Sequence, residues 1–374
     1  MLSLLGQLLL GLVFSVIIII LYWRFRSPWK LEIPVALNQE RWTIVPPDTH
    51  HSNTDLIKFG EQFLLVHATS PWHFASKKCR LVIRSSPDAR TWRIVHEITL
   101  PGEDVRDPKF AVINNKLFLY FLPNVILEPK PYDTLYCTSE DGMHWSRPEK
   151  LSIHGWLLWR PRTPDGITYY VPAYWRGFGN VTLFKSGDGI TWSRVGPIYE
   201  GESVTETDII FRDDGTMLTT ARVERYASLW GHTPEGYTLI GTANPPYTDW
   251  EYSRSQETRL DGPCLFQLGE RTYACGRRHL GGSAYRGSCW GRKRTSLYVV
   301  TPERLVFLCD LPSCGDTSYA GAVADGDNVF ICYYTSPPDR DYPWLFGMLS
   351  GTSIEMVRFN GADLEKLAAG KLGA

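Results

Sequence analysis

The chain opens with an apolar run that has no internal period and continues as short alternating runs broken by polar turns. Residues Leu4 to Trp23 are twenty positions without a charge. At ~1.5 Å per residue a helix of that length spans the hydrocarbon core of a bilayer. Tyr22 and Trp23 sit where an interfacial aromatic belt belongs, and Arg24, Arg26 and Lys30 follow. A basic leading segment and a small-x-small cleavage site are both missing, so the run reads as a retained single-pass anchor rather than a cleaved signal. Its orientation has opposed signals. Basic residues on the C-terminal flank place the following domain on the cytoplasmic side, whereas the sequon Asn180-Val181-Thr182 suits an extracytoplasmic face. The side of the membrane is left open.

Beyond the anchor the period changes to that of strands. Three segments repeat one pattern: Ser86-Pro87-Asp88-Ala89-Arg90-Thr91-Trp92, Ser139-Glu140-Asp141-Gly142-Met143-His144-Trp145 and Ser186-Gly187-Asp188-Gly189-Ile190-Thr191-Trp192. Their serines lie 53 and 47 residues apart. Each follows one β-rich run and precedes another, so each is a hairpin turn whose Ser and Asp side chains bond local amides while the Trp returns to the core. Thr242 to Trp250 is a weaker fourth copy. Further strand pairs, such as Phe110–Ile113 with Leu117–Tyr120, lie between these turns. Four strands per fifty residues, repeated, predicts an all-β propeller with blades near 54–100, 106–152, 165–200, 206–256, 262–308 and 318–358. Six blades is the primary count and five the alternative, because the sixth has no Asp-type turn. Arg41–Val45 is expected to close the ring against the last blade. The organisation is an anchor over 1–30, a propeller over 31–360 and a short tail over 361–374, with a helix from Ala362 to Leu372.

Composition narrows the function. A net charge of −1 argues against a nucleic-acid partner. The basic stretch from Arg286 to Arg294 is too short to reverse that and reads as a solvent loop. Eight cysteines form no CxxC pair, and no helical His-x-x-x-His accompanies them, so neither a metal nor another cofactor is expected. Buried thiols are their default, with Cys309 and Cys314 able to pair only in an oxidising space. The 14 Trp and 19 Tyr serve sheet packing, sugar stacking or both. Trp159 is the stacking candidate kept among the site residues.

The Ser-x-Asp-x-x-x-Trp turns resemble the Asp-boxes of the sialidase superfamily in shortened form. Segments in matching order strengthen the resemblance over about residues 42 to 350: Thr54-Asp55-Leu56-Ile57, Val105-Arg106-Asp107-Pro108-Lys109, Trp156–Arg160, Glu206-Thr207-Asp208-Ile209, Asp261-Gly262-Pro263, Cys275-Gly276-Arg277 and Gly315–Tyr319. The resemblance implies exo-sialidase-like chemistry. Arginines fork onto a sugar carboxylate, a Tyr nucleophile is activated by a Glu, and an Asp serves as acid/base. Glu206 and Tyr319 match the base and nucleophile, and Arg222 and Arg277 match two of three arginines. No arginine stands at Thr54-Asp55-Leu56, and no acid/base Asp stands in Ser70-Pro71-Trp72-His73.

A second constellation comes from the fold. Asp55, Arg106 with Asp107, Glu206 and Asp316 all lie at the starts of innermost strands, which converge on one face of a propeller. Clustered carboxylates there suit a glycosidase, since crowding keeps one protonated. The expected catalytic residues are therefore Glu206, Tyr319, Asp55, Asp107 and Asp316, with Arg106, Arg222, Arg277 and Trp159 binding substrate. The function expected is that of a membrane-anchored, sialidase-like glycoside hydrolase acting on a glycan or glycoconjugate. A propeller that binds carbohydrate or protein without turnover is the alternative.

Overall fold

The computed structural model describes residues 3–25, 30–34, 37, 39–126, 130–224, 236–281 and 286–373; Arg26 of the predicted flank lies outside them. Helix α1 (Leu4–Phe25) is exposed over Leu4–Tyr22, a stretch long and apolar enough to cross a membrane, a test that signal sequences also pass.

Six four-stranded antiparallel sheets follow. The closing strand is β1 (Gln39–Val45). Blade one is β2 (His50–Phe59), β3 (Gln62–Ser70), β4 (Arg80–Ser86) and β5 (Arg93–Ile98). Blade two is β6 (Asp104–Ile113), β7 (Lys116–Asn124), β8 (Leu135–Ser139) and β9 (Glu149–Lys150). Blade three is β10 (Trp156–Leu158), β11 (Tyr169–Trp175), β12 (Asn180–Ser186) and β13 (Ser193–Glu200). Blade four is β14 (Val204–Phe211), β15 (Met217–Val223), β16 (Tyr237–Ala243) and β17 (Glu251–Ser255). Blade five is β18 (Asp261–Leu268), β19 (Arg271–His279), β20 (Lys293–Val300) and β21 (Leu305–Asp310). Blade six is β22 (Thr317–Asp325), β23 (Asn328–Thr335), β24 (Ser353–Asn360) and, outermost, β1. Strand β1 pairs with β24 with Trp42 opposite Met356, so the two ends of the ring are joined as the sequence predicted. The third blade begins earlier than expected. Its inner strand β10 holds only three residues, and the segment from 165 is a turn.

Middle strands such as β23 are buried on both faces, because each blade is packed between two others, whereas the outer strand β17 is mostly open to solvent. Six apolar clusters fill the six interfaces between successive blades. The repeated turns tie blades together. In the first, the Asp88 Oδ1 accepts from the Arg90 and Thr91 amides at 2.8 and 2.7 Å, and Trp92 Nε1 donates to the Ala89 carbonyl at 2.8 Å. The same carbonyl accepts from Trp42 Nε1 of the closing strand at 3.0 Å. Likewise Tyr120 of blade two donates to Gly189 in the turn of blade three at 2.7 Å. Each turn thus docks on the preceding blade. The sequence reading missed one. Thr163–Tyr169 builds the same Asp-centred network around Asp165, with Tyr169 in the place of Trp. The weaker copy at Thr242–Trp250 does not form it: Tyr247 has φ 67° and the buried Trp250 Nε1 has no hydrogen bond.

Helix α2 (Trp344–Met348) lies between β23 and β24. Helix α3 (Gly361–Leu372) is capped by the Asn360 side chain, which accepts from the Ala362 and Asp363 amides, and buries Leu364 and Ala368 against blades five and six. All eight cysteines are free and buried, Cys309 and Cys314 included.

Candidate active site

Five of the six innermost strands carry an irregularity at their first residues. Register shifts fall between Ser52 and Asp55, Arg106 and Lys109, Val204 and Thr207, Asp261 and Cys264, and Ser318 and Gly321. In four of these the bulged residue has positive φ: Asn53 (50°), Asp107 (49°), Gly262 (62°) and Tyr319 (47°). Left-handed backbone at non-glycine residues costs about 1–3 kcal/mol each. A bulge re-aims one side chain out of the alternation. Repeated around the ring, it gathers residues from separate blades at one end of the channel.

Tyr319 and Glu206 meet there, with the Tyr319 phenol donating to Glu206 Oε1. The other carboxylate oxygen accepts from the Gly262 amide at 2.7 Å, and Arg222 Nη1 lies 2.9 Å from Oε1. Gly262 is required at this point. A Cβ there would stand 2.9 Å from the Tyr319 ring, and φ is left-handed. Burial raises Glu206 above the usual carboxylate range against the pull of Arg222, and Asp261 and Asp107 push the same way. Burial, then Glu206 and Asp107, push the Tyr319 phenol well up, while Arg222 and Arg277 work against them. The Arg277 guanidinium lies 5.5 Å from the centre of the Tyr319 ring and 4.8 Å from that of Trp344. Arg222 also contacts Glu224 and Thr205, both at 2.9 Å. Among the described residues those three contacts leave two of its five N–H groups for a ligand.

Glu206, Tyr319, Arg222 and Arg277 are therefore brought together, and Asp107 joins them. The Asn53 amide donates to Asp107, which lies within electrostatic reach of both Glu206 and Tyr319. Other expected members are placed elsewhere. Asp55 points into the channel interior, where Oδ1 pairs with Arg160 Nη2 at 2.8 Å and Oδ2 accepts from the Phe110 amide at 2.7 Å. Arg106 is folded back on Asp104 at 2.7 Å, so its guanidinium is not presented to a ligand. Trp159 is 1% exposed, donates to the Pro263 carbonyl and carries the Lys109 ammonium 4.3 Å from its ring centre. It forms a floor near Tyr319 rather than a sugar platform. Asp316 sits on the far side of Arg277, at 3.3 Å from it, against His50 and His73.

Several members were not singled out from the sequence. Lys109 is fully buried and held below its ordinary value by burial and by Arg160. Asp261 is clamped by Arg259 through two contacts of 2.7 Å and backed by His279 at 3.0 Å, itself 2.9 Å from Lys293. Both Lys109 and Asp261 lie in the segments that carried the family resemblance, so the signal was present but without a role.

The fold and this face define a six-bladed, sialidase-like β-propeller. No family model matches the sequence, and no curated protein matches it. Solved structures do match. Trypanosoma rangeli sialidase in complex with sialic acid superposes with a TM-score of 0.61 at 14% identity, covering 90% of this chain and 61% of that one. The phage phi92 endosialidase gives 0.64 at 10% identity over 87% of this chain and 69% of its own. A Hadza microbial sialidase gives 0.54 at 13% over 84% and 68%. The chain thus spans about three fifths of the trypanosomal enzyme's length.

Proposed function

We propose that this chain is a membrane-anchored glycoside hydrolase of the sialidase type, acting on a glycan that carries an acidic sugar. One observation carries the reading: a buried phenol, Tyr319, donates to a carboxylate, Glu206, with two guanidinium groups beside them. The raised proton affinity of Glu206 suits it to take the phenol proton. As that proton leaves, the phenol oxygen attacks the anomeric carbon, the bond to the leaving oxygen breaks, and Asp107 gives that oxygen a proton. Water then cleaves the glycosyl–tyrosine with Asp107 as base, and Glu206 returns its proton to Tyr319. A neutral nucleophile avoids repulsion from a sugar carboxylate, which the remaining N–H groups of Arg222 would bind. Helix α1 would tether the propeller beside glycoconjugates at a membrane.

The test uses the full chain in detergent with aryl sialosides and other acidic aryl glycosides. Glu206→Gln and Tyr319→Phe are each expected to lower turnover by about 10²–10⁴-fold. Turnover unchanged in both variants would end the reading. A second reading, carbohydrate binding without turnover, is favoured by the bulge of blade one, which presents Asn53 and no arginine. Glycan-array binding with no hydrolysis of any substrate would select it.

A further inference from the structure

We propose that His50, His73 and Asp316 form a site for one divalent first-row metal ion of the zinc class. His50 opens β2, His73 lies in the loop after β3, and Asp316 immediately precedes β22, so the site sits where blades one and six meet. One donor atom from each falls within 4.8 Å of the others, and Asp316 Oδ2 faces both His50 Nε2 and His73 Nδ1. Residues so far apart in sequence show no metal-ligand spacing.

The placement of His50 carries the argument. Its Nδ1 lies 2.9 Å from the Ser350 carbonyl oxygen, which can only accept, so Nδ1 bears the proton. That leaves Nε2 as the ring atom turned to the cluster. His50 is 1% exposed, and Nε2 has no hydrogen bond, yet it points at Asp316 Oδ2 from 3.2 Å. An imidazole nitrogen and a carboxylate oxygen buried at that distance call for a cation between them, either a proton or a metal ion. His73 Nδ1 reaches the same oxygen at 2.6 Å. Donors ~2.0–2.2 Å from a tetrahedral ion stand roughly 3.3 Å apart. The His50–Asp316 pair already has that separation, and the His73–Asp316 pair reaches it by opening less than ~1 Å.

The surroundings match what metal ligands need. Outer partners orient such ligands and tune them. Here the Ser350 carbonyl fixes the tautomer of His50. Asp316 Oδ1 is taken by Trp344 Nε1 at 2.8 Å, the Tyr334 hydroxyl at 3.1 Å and Arg277 at 3.3 Å, which leaves Oδ2 for the ion. His73 keeps 15% of its side chain exposed, so the cluster is reached from one side and has room for a water as fourth ligand. Two imidazoles with one carboxylate is a donor set for zinc and its first-row neighbours. The ion would add positive charge beside Arg277, and Arg106 also acts on His73.

The site does not depend on the hydrolase reading, and its test needs no substrate. The full chain in detergent is stripped with chelator and titrated with Zn²⁺ and, separately, Co²⁺. The proposal expects about one zinc retained per chain after dialysis, visible Co²⁺ bands of a tetrahedral site, and a Tm that rises with metal concentration. His50→Ala and His73→Ala should lose the Co²⁺ bands, and His154→Ala, at the exposed His154 beside Asp133, should keep them. Trp344→Phe should weaken binding by about 10–100-fold. Far-UV circular dichroism checks the variants, while the titration of the unaltered chain stands whether or not they fold. Zinc well below one per chain with featureless Co²⁺ spectra would overturn the proposal, leaving His50 as an imidazolium paired directly with Asp316. Bands that persist in both histidine variants would overturn it as well.

Discussion

Two layers of charge occupy this channel two residues apart on the same strands, and they are built differently. In the inner layer, Arg160 of blade three pairs with Asp55 of blade one at 2.8 Å and Asp208 of blade four at 2.7 Å. Asp55 accepts from the Phe110 amide of blade two, and Asp208 from the Leu265 amide of blade five. Arg160 also reaches the Ala320 carbonyl of blade six at 3.4 Å. One guanidinium and two carboxylates thus link all six blades. The outer layer, with Asn53, Asp107, Glu206, Gly262 and Tyr319, is as deeply buried at Glu206 but lies on bulged and often left-handed backbone. Burial of charge does not separate a hub from a site. Backbone strain and a phenol held against a carboxylate do.

The sharpest way to break this comparison is Arg160→Met, which leaves two buried carboxylates without their cation. It should cost about 3–5 kcal/mol, seen as a Tm lower by on the order of 10 °C. Little change would mean that Arg160 is not the hub. Next comes Gly262→Ala, where left-handed φ and the approach of the Tyr319 ring should cost about 1–3 kcal/mol. By displacing that ring it should also lower turnover as far as Tyr319→Phe does; a folded variant with full turnover would separate Gly262 from the chemistry.

Tyr319→Phe itself should cost less than about 1.5 kcal/mol, since Glu206 keeps Arg222. A loss as large as that of Arg160→Met, by the same unfolding measurement, would make the outer layer structural too. Because Glu206 is raised above 4.5, turnover should fall on its acid side at a pH above 4.5 as the base takes up a proton. An acid limb below 4.5 would assign the base elsewhere. The smallest effect belongs to the turns. Amides of Thr91 and Arg90 hold Asp88 down from 3.8 to about 2. Its contribution is present above 3.8 and lost as pH falls through 2. Asp88→Asn should flatten that acid slope by less than about 1 kcal/mol, because the carboxylate is open to solvent. An unchanged slope in pH-dependent unfolding would remove the turn from the acid response.

Much of the fold is local in origin and was legible. The Ser-x-Asp turns make their hydrogen bonds within four residues, so their spacing announces blades wherever they occur. Thr163–Tyr169 escaped because Thr and Tyr replace Ser and Trp, although the Asp165 bonds are the same. The apolar run at the N-terminus needs no partner to be helical. Glu206, Tyr319, Arg222 and Arg277 were legible by their order along the chain. Asp55 and Asp107 looked alike in sequence, each at the start of an inner strand, yet one entered the hub and the other the site.

By itself, then, the sequence determined a propeller, with six blades as its primary count, closed by Arg41–Val45 and preceded by an apolar helix, because alternation, turn chemistry and helix length are short-range properties. Only the tertiary structure decided which charges face a ligand. A bulge shifts a strand by one residue and exchanges inside for outside. That choice depends on contacts with another blade, as in Gly321, whose missing Cβ lets β22 approach the Leu56 backbone of β2. The gathering of His50, His73 and Asp316 was likewise settled by closure of the ring, which brings the first blade against the last.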